Sequence, residues 1–474
     1  MKRHFHYRSL GELDQDAREL GADSVRFESD PARIRQQMAY PVDMGAFRVG
    51  NSIAIHPMEG CDGAADGSPG ELTWRRYERF ARGGAKLIWF EATAVSSNGR
   101  ANPRQLWITR DNAADFAKLA ARIRQVHQET YGTADDLLLP IQLTHSGRYS
   151  ASNRLIACEN PYVSASGPII DDDELERLED DYVEAGCQAW KAGFEAIDIK
   201  VTHGYLLSEL TGARQREGRY GGELRNRLRF IENVAGKLRA ALGSRLLLCI
   251  RLGCFDCVPF DRDPMTKLGV PCRYDVPYPY GFGVNAEDPL TEDLTEVKQA
   301  IAWFREWGVG LINISMGCPY YNPHIGRPFE KADEGNYEPP EHPLLGVDRH
   351  FRIAGELQRA FPDLPMVGTG YSWLQKYCLN AGARNLADGN IRFFGMGRGA
   401  LAYPDFARAA LETGELDERH VCKTLTFCTY LMRQKNHPLG QFPTGCPPFD
   451  KEGYGEIIKL ARHAAQPRET RPVT

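Results

Sequence analysis

An eight-stranded α/β barrel, (β/α)8, is the fold that this 474-residue sequence predicts, with an N-terminal extension and long loops at one mouth. Two observations carry that expectation. Eight short apolar runs alternate with helical patterns, and each run ends on polar or glycine residues. No Gly-x-Gly-x-x-Gly opens a helix after the first run, which counts against the main competitor, a doubly wound sheet. The alternation is not a sequence repeat, so no solenoid is expected.

Residues 1–45 are polar and mixed, and read as an extension leading to a lid over the barrel's amino end. The barrel is expected over 46–415. Its first run, Ser52-Ile53-Ala54-Ile55, ends at His56-Pro57-Met58-Glu59-Gly60-Cys61. A helical pattern from Leu72 closes at Gly83-Gly84, and Leu87–Phe90 then forms a buried strand ending in Glu91-Ala92-Thr93. A helix around Asp115–Gln128 leads to the third strand, Leu137–Leu143, and an acidic helix around Asp173–Ala192 leads to the fourth, Ala196–Ile199. After a helix to Leu242 comes Arg245–Arg251. Residues 254–290 are rich in Pro, Tyr, Gly and Cys and too long for an ordinary connection, so they read as a functional loop. A helix near Leu294–Trp307 precedes Gly310–Ser315, and the loop 316–343 reads as a second wall of the mouth. Strands seven and eight are Pro365–Thr369 and Ile391–Arg398, and 416–474 form a C-terminal extension.

The stretch Ile197–Phe230, IDIKVTHGYLLSELTGARQREGRYGGELRNRLRF, organises the rest. Its strand delivers Lys200, His203 and Tyr205 to the carboxyl end, where barrels carry their chemistry: a cation, a tunable donor and a weak acid at one mouth. The stretch closely resembles the old yellow enzyme superfamily of FMN-dependent NADH:flavin oxidoreductases and ene-reductases. Within it, the affinity is closer to the barrel domain of trimethylamine dehydrogenase and dienoyl-CoA reductase. There the fourth strand ends in His-x-x-His-Gly-Tyr or His-x-x-Asn-Gly-Tyr, and an EYGG turn and an ENRxRF-like helix follow. Here HGYL and RYGG-ELRNRLRF are kept, while Lys200 replaces the first His.

The resemblance extends over roughly 50–415 and implies a TIM-barrel fold, FMN as cofactor and NAD(P)H as candidate electron donor. It places Pro57, Met58 and Ala92 against the flavin, Gln142 on its pyrimidine edge, and Arg251 near N1 and O2. Gly368, Thr369, Gly397 and Arg398 fall at the phosphate-binding turns. The chemistry agrees. A phosphate needs backbone N–H groups and a cation that can bind bidentately, and a reduced flavin's negative charge needs a cation at Arg251's position. Taken singly, Arg251 reads as an ordinary salt-bridged residue and Gln142 says little. Their order along the strands makes the case. Tyr205 falls where the family keeps a proton donor, and His203 and Lys200 fall at its two anion-binding positions. Glu59 stands where relatives commonly have Thr or Cys, and a Lys200–Glu59 pair would be self-consistent. Lys200 bridging only to Glu59 or Asp198 stays open. Cys422, Cys428 and Cys446 fall in the region where larger relatives bind a [4Fe–4S] cluster. Leu425 stands at the second thiolate's place, so no cluster and no metal are expected.

Composition fits a cytoplasmic enzyme. The net charge is −5, there is no long basic run for nucleic acid, and no window spans a membrane. Twelve scattered cysteines suit a reducing compartment, and the N-terminus lacks a signal peptide's apolar core. The expected partner is a small molecule, with homo-oligomer assembly open. The expected reaction is hydride exchange between flavin N5 and an activated C=C or C–H of a small oxygenated, cyclic or aromatic substrate. Tyr-rich stretches at 273–284 and 316–323 are candidates to stack on it. Three alternatives stand: dehydrogenation in the oxidative direction, a cofactor-free lyase forming an imine on Lys200, and a non-catalytic flavin-binding protein.

Overall fold

The computed structural model describes residues 4–333 and 336–465. Eight parallel strands close into a barrel: β1 (Ile53–Ile55), β2 (Leu87–Ile88 and Phe90–Ala94), β3 (Pro140–Thr144), β4 (Ala196–Val201), β5 (Leu247–Gly253), β6 (Val309–Ser315), β7 (Met366–Gly368) and β8 (Phe393–Met396). β1 pairs with β8 on one side and β2 on the other. β2 is interrupted at Trp89, whose N–H still donates to the Ile55 carbonyl at 3.0 Å, and its second piece pairs with β3. The helices on the outside are α1 (Glu71–Arg82), α2 (Ala113–Tyr131), α3 (Asp172–Lys191), α4 (Arg229–Leu242), α5 (Thr295–Glu306), α6 (Pro343–Ala360), α7 (Cys378–Ala387) and α8 (Phe406–Glu412).

Their boundaries follow local chemistry. The Asp171 side chain caps α3 by accepting from the Glu174 N–H at 2.7 Å, and Asp172, Asp173 and Glu174 put negative charge on its first turn. α2 stops at Gly132 (φ 80°), a left-handed position that glycine adopts without strain.

Strand parity sorts the side chains. Ile197, Ile199 and Val201 of β4 join the outer layer with the helices, as do Leu248, Ile250 and Leu252 of β5. Ala196, Leu247, Leu311, Val367, Phe393, Ala54 and Trp89 form a separate cluster inside the barrel. That cluster is closed by an antiparallel hairpin, Val42–Met44 with Phe47–Val49, whose Val42, Val49, Met44 and Phe47 pack onto it. The hairpin is the lid at the amino end. The rest of the extension is more ordered than its polar composition suggests, with helices Leu10–Glu19 and Pro31–Met38, and the second packs against α7 and α8 on the barrel's flank.

The same parity makes the upper storey of the interior polar. Two residues beyond Ala196 lies Asp198, which is fully buried. It accepts from Trp89 Nε1 at 2.9 Å, Gln142 Nε2 at 2.7 Å and the Arg251 N–H at 2.7 Å. Burial, partly offset by these donors, raises its carboxyl to about 6. This knot marks the boundary between an apolar plug below and the mouth above.

The loops above the mouth are tied together. Glu330 accepts from the Phe5 N–H at 2.9 and 3.0 Å and from Trp373 Nε1 at 3.0 Å. Its own N–H donates to Thr424 Oγ1 at 3.1 Å. One residue, through its carboxylate and its backbone N–H, thus joins the N-terminal segment, the loop after β6, the turn after β7 and the C-terminal extension. That extension adds helices Phe427–Arg433 and Lys451–Ala465 with a small core of their own around Leu431, Phe442, Tyr454 and Ala461.

Candidate active site

The carboxyl ends of the strands gather a set of cations that the protein does not neutralise. Lys200 and Arg251 are register neighbours on β4 and β5. Arg251 is buried; among the described residues its guanidinium has no carboxylate within 4 Å, and it makes one 3.4 Å contact to the Pro57 carbonyl and leaves Nε without a partner. Burial brings it down to about 10. An unneutralised guanidinium in such a place costs several kcal/mol unless an anion completes it.

Lys200 is only 4% exposed. Its Nζ lies 3.7 Å from the centroid of the Tyr205 ring, within cation–π range. Among the described residues no carboxylate lies within 4 Å of it. Burial lowers it to about 7, Glu59 opposes that fall, and Arg251 adds to it. The direct Lys200–Glu59 and Lys200–Asp198 bridges anticipated from sequence are not formed. Glu59 instead accepts from Asn102 Nδ2 at 2.8 Å, and burial raises its carboxyl; Asp198 is used up in its own knot.

His203 and Gly204 are consecutive left-handed residues (φ 70° and 69°), a conformation uncommon for a histidine. The bend brings His203 Nε2 to 3.2 Å from Ser315 Oγ at the end of β6. Burial, then Arg251 and Lys200, hold the imidazole neutral, so it can donate one directed hydrogen bond. Tyr205 follows at 4% exposure, its hydroxyl 3.1 Å from that of Tyr320, and burial keeps the phenol protonated well above the usual range.

A second group of cations lies at the end of β8. Arg398 donates to the Pro328 carbonyl at 2.6 Å and leaves Nη1 unpartnered. Near it Arg327, from the loop after β6, donates to Thr429 Oγ1 at 2.8 Å and leaves Nη2 unpartnered. Burial and then the Arg398 charge lower Arg327 to about 10. Arg433 beside them is satisfied by Asp333 at 2.5 Å. Two like charges held together with open donors form an anion cradle. Arg327 was not legible in the sequence, because an arginine in a Pro/Tyr-rich loop carries no strand-end signal. His56, whose Nδ1 meets Asn313 Nδ2 at 3.1 Å while Nε2 stays unpartnered, was passed over although it ends β1.

The other sequence-derived residues fall at the same mouth. Pro57 and Met58 lead out of β1, and a Cβ on Gly397 would come within 3.1 Å of Met58 Sδ, so those two turns touch. Ala92 is buried at the end of β2, with its carbonyl accepting from Gln105 Nε2 at 3.2 Å. Gly368 and Thr369 end β7, Thr369 being buried. Gln142 lies at the same level, with its amide nitrogen committed to Asp198, so only its oxygen side is open.

Other parts of the signature prove structural. Tyr220 donates to Glu179 at 2.7 Å, and Arg227 to the carbonyls of Gly222, at 2.9 Å, and Thr211 and to Glu296, tying the segment ahead of α4 to α3 and α5. The glycines between them are required. A Cβ on Gly221 would sit 2.0 Å from the Arg216 carbonyl, and Gly222 has φ 75°. Arg148 is spent on Glu209 and loop carbonyls. Of the two Tyr-rich stretches, 316–323 supplies Tyr320 to the mouth, whereas Tyr274, Tyr278 and Tyr280 cluster with Tyr162. Cys422, Cys428 and Cys446 lie near enough to influence one another electrostatically, with Leu425 partly exposed. Among the described residues no group of three or more His, Cys, Asp or Glu is placed to hold a metal ion.

The model of the NADH:flavin oxidoreductase / NADH oxidase family matches residues 37–267, from the lid hairpin through β5 and into the loop beyond. Over that stretch, a little under half of its length, the chain is similar to this family. It is 28% identical over 280 residues to NADPH dehydrogenase of Bacillus pumilus (strain SAFR-032), covering 56% of this chain and 70% of that one. It is 27% identical over 260 residues to 12-oxophytodienoate reductase 1 of Oryza sativa subsp. japonica, covering 50% and 65%. Against another relative, NADH:flavin oxidoreductase FG08077 of Gibberella zeae (strain ATCC MYA-4620 / CBS 123657 / FGSC 9075 / NRRL 31084 / PH-1), it spans about half that protein's length (47%). The fold matches an old yellow enzyme homologue from Zymomonas mobilis with a TM-score of 0.57 at 20% identity, over 82% of this chain and 96% of that one. It also matches 2-naphthoyl-CoA reductase at 0.62 and 17%, over 83% and 54%. No helix among the described residues is long and apolar enough to cross a membrane.

Proposed function

We propose that the barrel mouth binds FMN and that the protein exchanges hydride with an activated C=C of a small carbonyl compound, with NAD(P)H as electron donor. The observation that carries this reading is the pair of unneutralised arginine sites at opposite sides of one mouth, Arg251 on β5 and Arg398 with Arg327 at β8. A flavin mononucleotide has two separated anionic parts, its ring when reduced and its phosphate, and suits both. Arg251 would hold the pyrimidine side together with the Gln142 oxygen, and Arg398 and Arg327 would hold the phosphate beside Gly368, Thr369 and Gly397. Pro57, Met58, Glu59 and Ala92 would line the ring. Bound there, FMN supplies a two-electron hydride donor and acceptor.

The chain's own groups do the rest. Neutral His203 and the Lys200 ammonium donate to a carbonyl oxygen, where negative charge develops as the β-carbon is reduced. Tyr205, still protonated, gives its proton to the α-carbon. The test is the visible spectrum of the purified protein and chromatography of the flavin released on denaturation. FMN is expected, and a colourless protein that cannot be reconstituted with FMN would refute the reading. One observation favours a second reading, imine formation at Lys200: its amine is buried and poised near neutrality. Borohydride trapping of a carbonyl substrate on Lys200 would support it.

A further inference from the structure

Tyr205 has a supply problem. If it protonates a carbon in each turnover, its oxygen must regain a proton from water, yet the residue is 96% covered and Lys200 lies over its ring. The hydroxyl has one hydrogen-bond partner among the described residues, Tyr320 Oη at 3.1 Å. Tyr320 is the reverse case, 45% exposed near the start of the loop after β6. Its ring does not swing freely, because it stacks on Tyr149 with centroids 3.7 Å apart and planes 11° from parallel. Tyr149 is itself half-buried, and its hydroxyl faces Cys318 Sγ at 3.8 Å. A tyrosine that is partly open to solvent, clamped by a stack, and bonded through its hydroxyl to a buried phenol is a proton wire of one link.

We propose that Tyr320 is the relay that reprotonates Tyr205. The inference rests on the proposed function and adds a positioning residue to it. In the reductive direction the substrate β-carbon takes a hydride from reduced flavin, and the C=C electron pair moves onto the carbonyl oxygen. As the carbonyl re-forms, the α-carbon takes the Tyr205 proton: the Tyr205 O–H bond breaks and a C–H bond forms. The Tyr205 oxygen takes the proton of Tyr320, and Tyr320 takes one from water. One hydride and one proton enter the substrate, the flavin ends oxidised, and both tyrosines return to the neutral phenol. Burial favours that neutral state at Tyr205.

The substitution Tyr320→Phe keeps the stack on Tyr149 and removes only the link. Anaerobically reduced holoenzyme is mixed with 2-cyclohexen-1-one, whose reduction needs a proton on carbon, or with 1,4-benzoquinone, whose reduction needs protons only on oxygen. The relay requires Tyr320→Phe to slow reoxidation by the enone by about ten-fold or more, the lower range for loss of a positioned proton donor. The benzoquinone rate should stay at the wild-type value. The link is also readable without turnover: in flavin-free protein labelled with 13C at tyrosine Cζ, the Tyr205 resonance, assigned with Tyr205→Phe, should shift in Tyr320→Phe. Equal slowing with both acceptors would make Tyr320 a structural support and overturn the relay. An unchanged enone rate would show that water reaches Tyr205 another way, and would overturn it too. Wild-type holoenzyme that reoxidises with benzoquinone but never with the enone would refute the proposed reaction itself, and the relay with it.

Discussion

Replacing Lys200 by Met should make the protein more stable, and by an amount that depends on pH. The ammonium is buried, faces no carboxylate within 4 Å among the described residues, and is compensated by the Tyr205 ring and the more distant Glu59 charge. Lowering the amine from its ordinary 10.5 to about 7 expresses a disfavoured charged form. At about 1.4 kcal/mol per tenfold this is a few kcal/mol. The Glu59 interaction, lost with the lysine, returns part of it, so a net gain of about 1–3 kcal/mol is expected at pH 6. The sign follows from linkage. Between about 7 and 10.5 the unfolded chain holds the lysine proton and the folded chain does not, so wild-type stability rises with pH across that window. The advantage of Lys200→Met should therefore shrink from pH 6 to pH 9. Urea unfolding of the flavin-free protein at both values measures it. If Lys200→Met is equally or less stable than wild type at both pH values, the lysine is not an uncompensated charge. In the loaded enzyme the same substitution should lower kcat/KM for an enone by the equivalent of about 1.5–3 kcal/mol, with FMN retained.

Other outcomes follow from the mouth and its supports. Arg398→Ala and Arg327→Ala should each weaken FMN binding about ten-fold or more while leaving riboflavin binding nearly unchanged, as flavin-fluorescence titration would read. Tyr220→Phe should cost about 1 kcal/mol of stability and leave turnover intact, because its hydroxyl serves Glu179. Anaerobically purified protein should lack the roughly four irons per chain of a [4Fe–4S] cluster, and iron with acid-labile sulfide analysis decides it.

The barrel was legible because its strands are buried on both faces and read as unbroken apolar runs between amphipathic helices. The polar upper storey was legible for residues near the carboxyl ends of β4 and β5, such as Lys200 and Arg251, since parity alone turns them inward. The pairing of charges was not. Lys200 and Glu59 share the mouth, but Asn102, some forty residues further along the chain from Glu59, takes the carboxylate, and nothing local announces it. Arg327 and Tyr320 were hidden for the same reason: long loops place side chains by contacts made far away in sequence. The extension's helices were missed because their apolar faces are short and interrupted by charges, Leu13 and Ala17 in one and Ile34 and Met38 in the other.

The four-way junction at Glu330 bears on how the protein can be handled. Pro328, whose carbonyl fixes Arg398, lies two residues from it, and Arg327 is next to Pro328. A fusion or affinity tag placed just ahead of Phe5 would therefore pull on the anion cradle, though it sits on a segment distant from every strand end. Loss of colour in an N-terminally tagged preparation would report the handle, not the enzyme, and exchanging Glu330 for Gln would reproduce it without any tag.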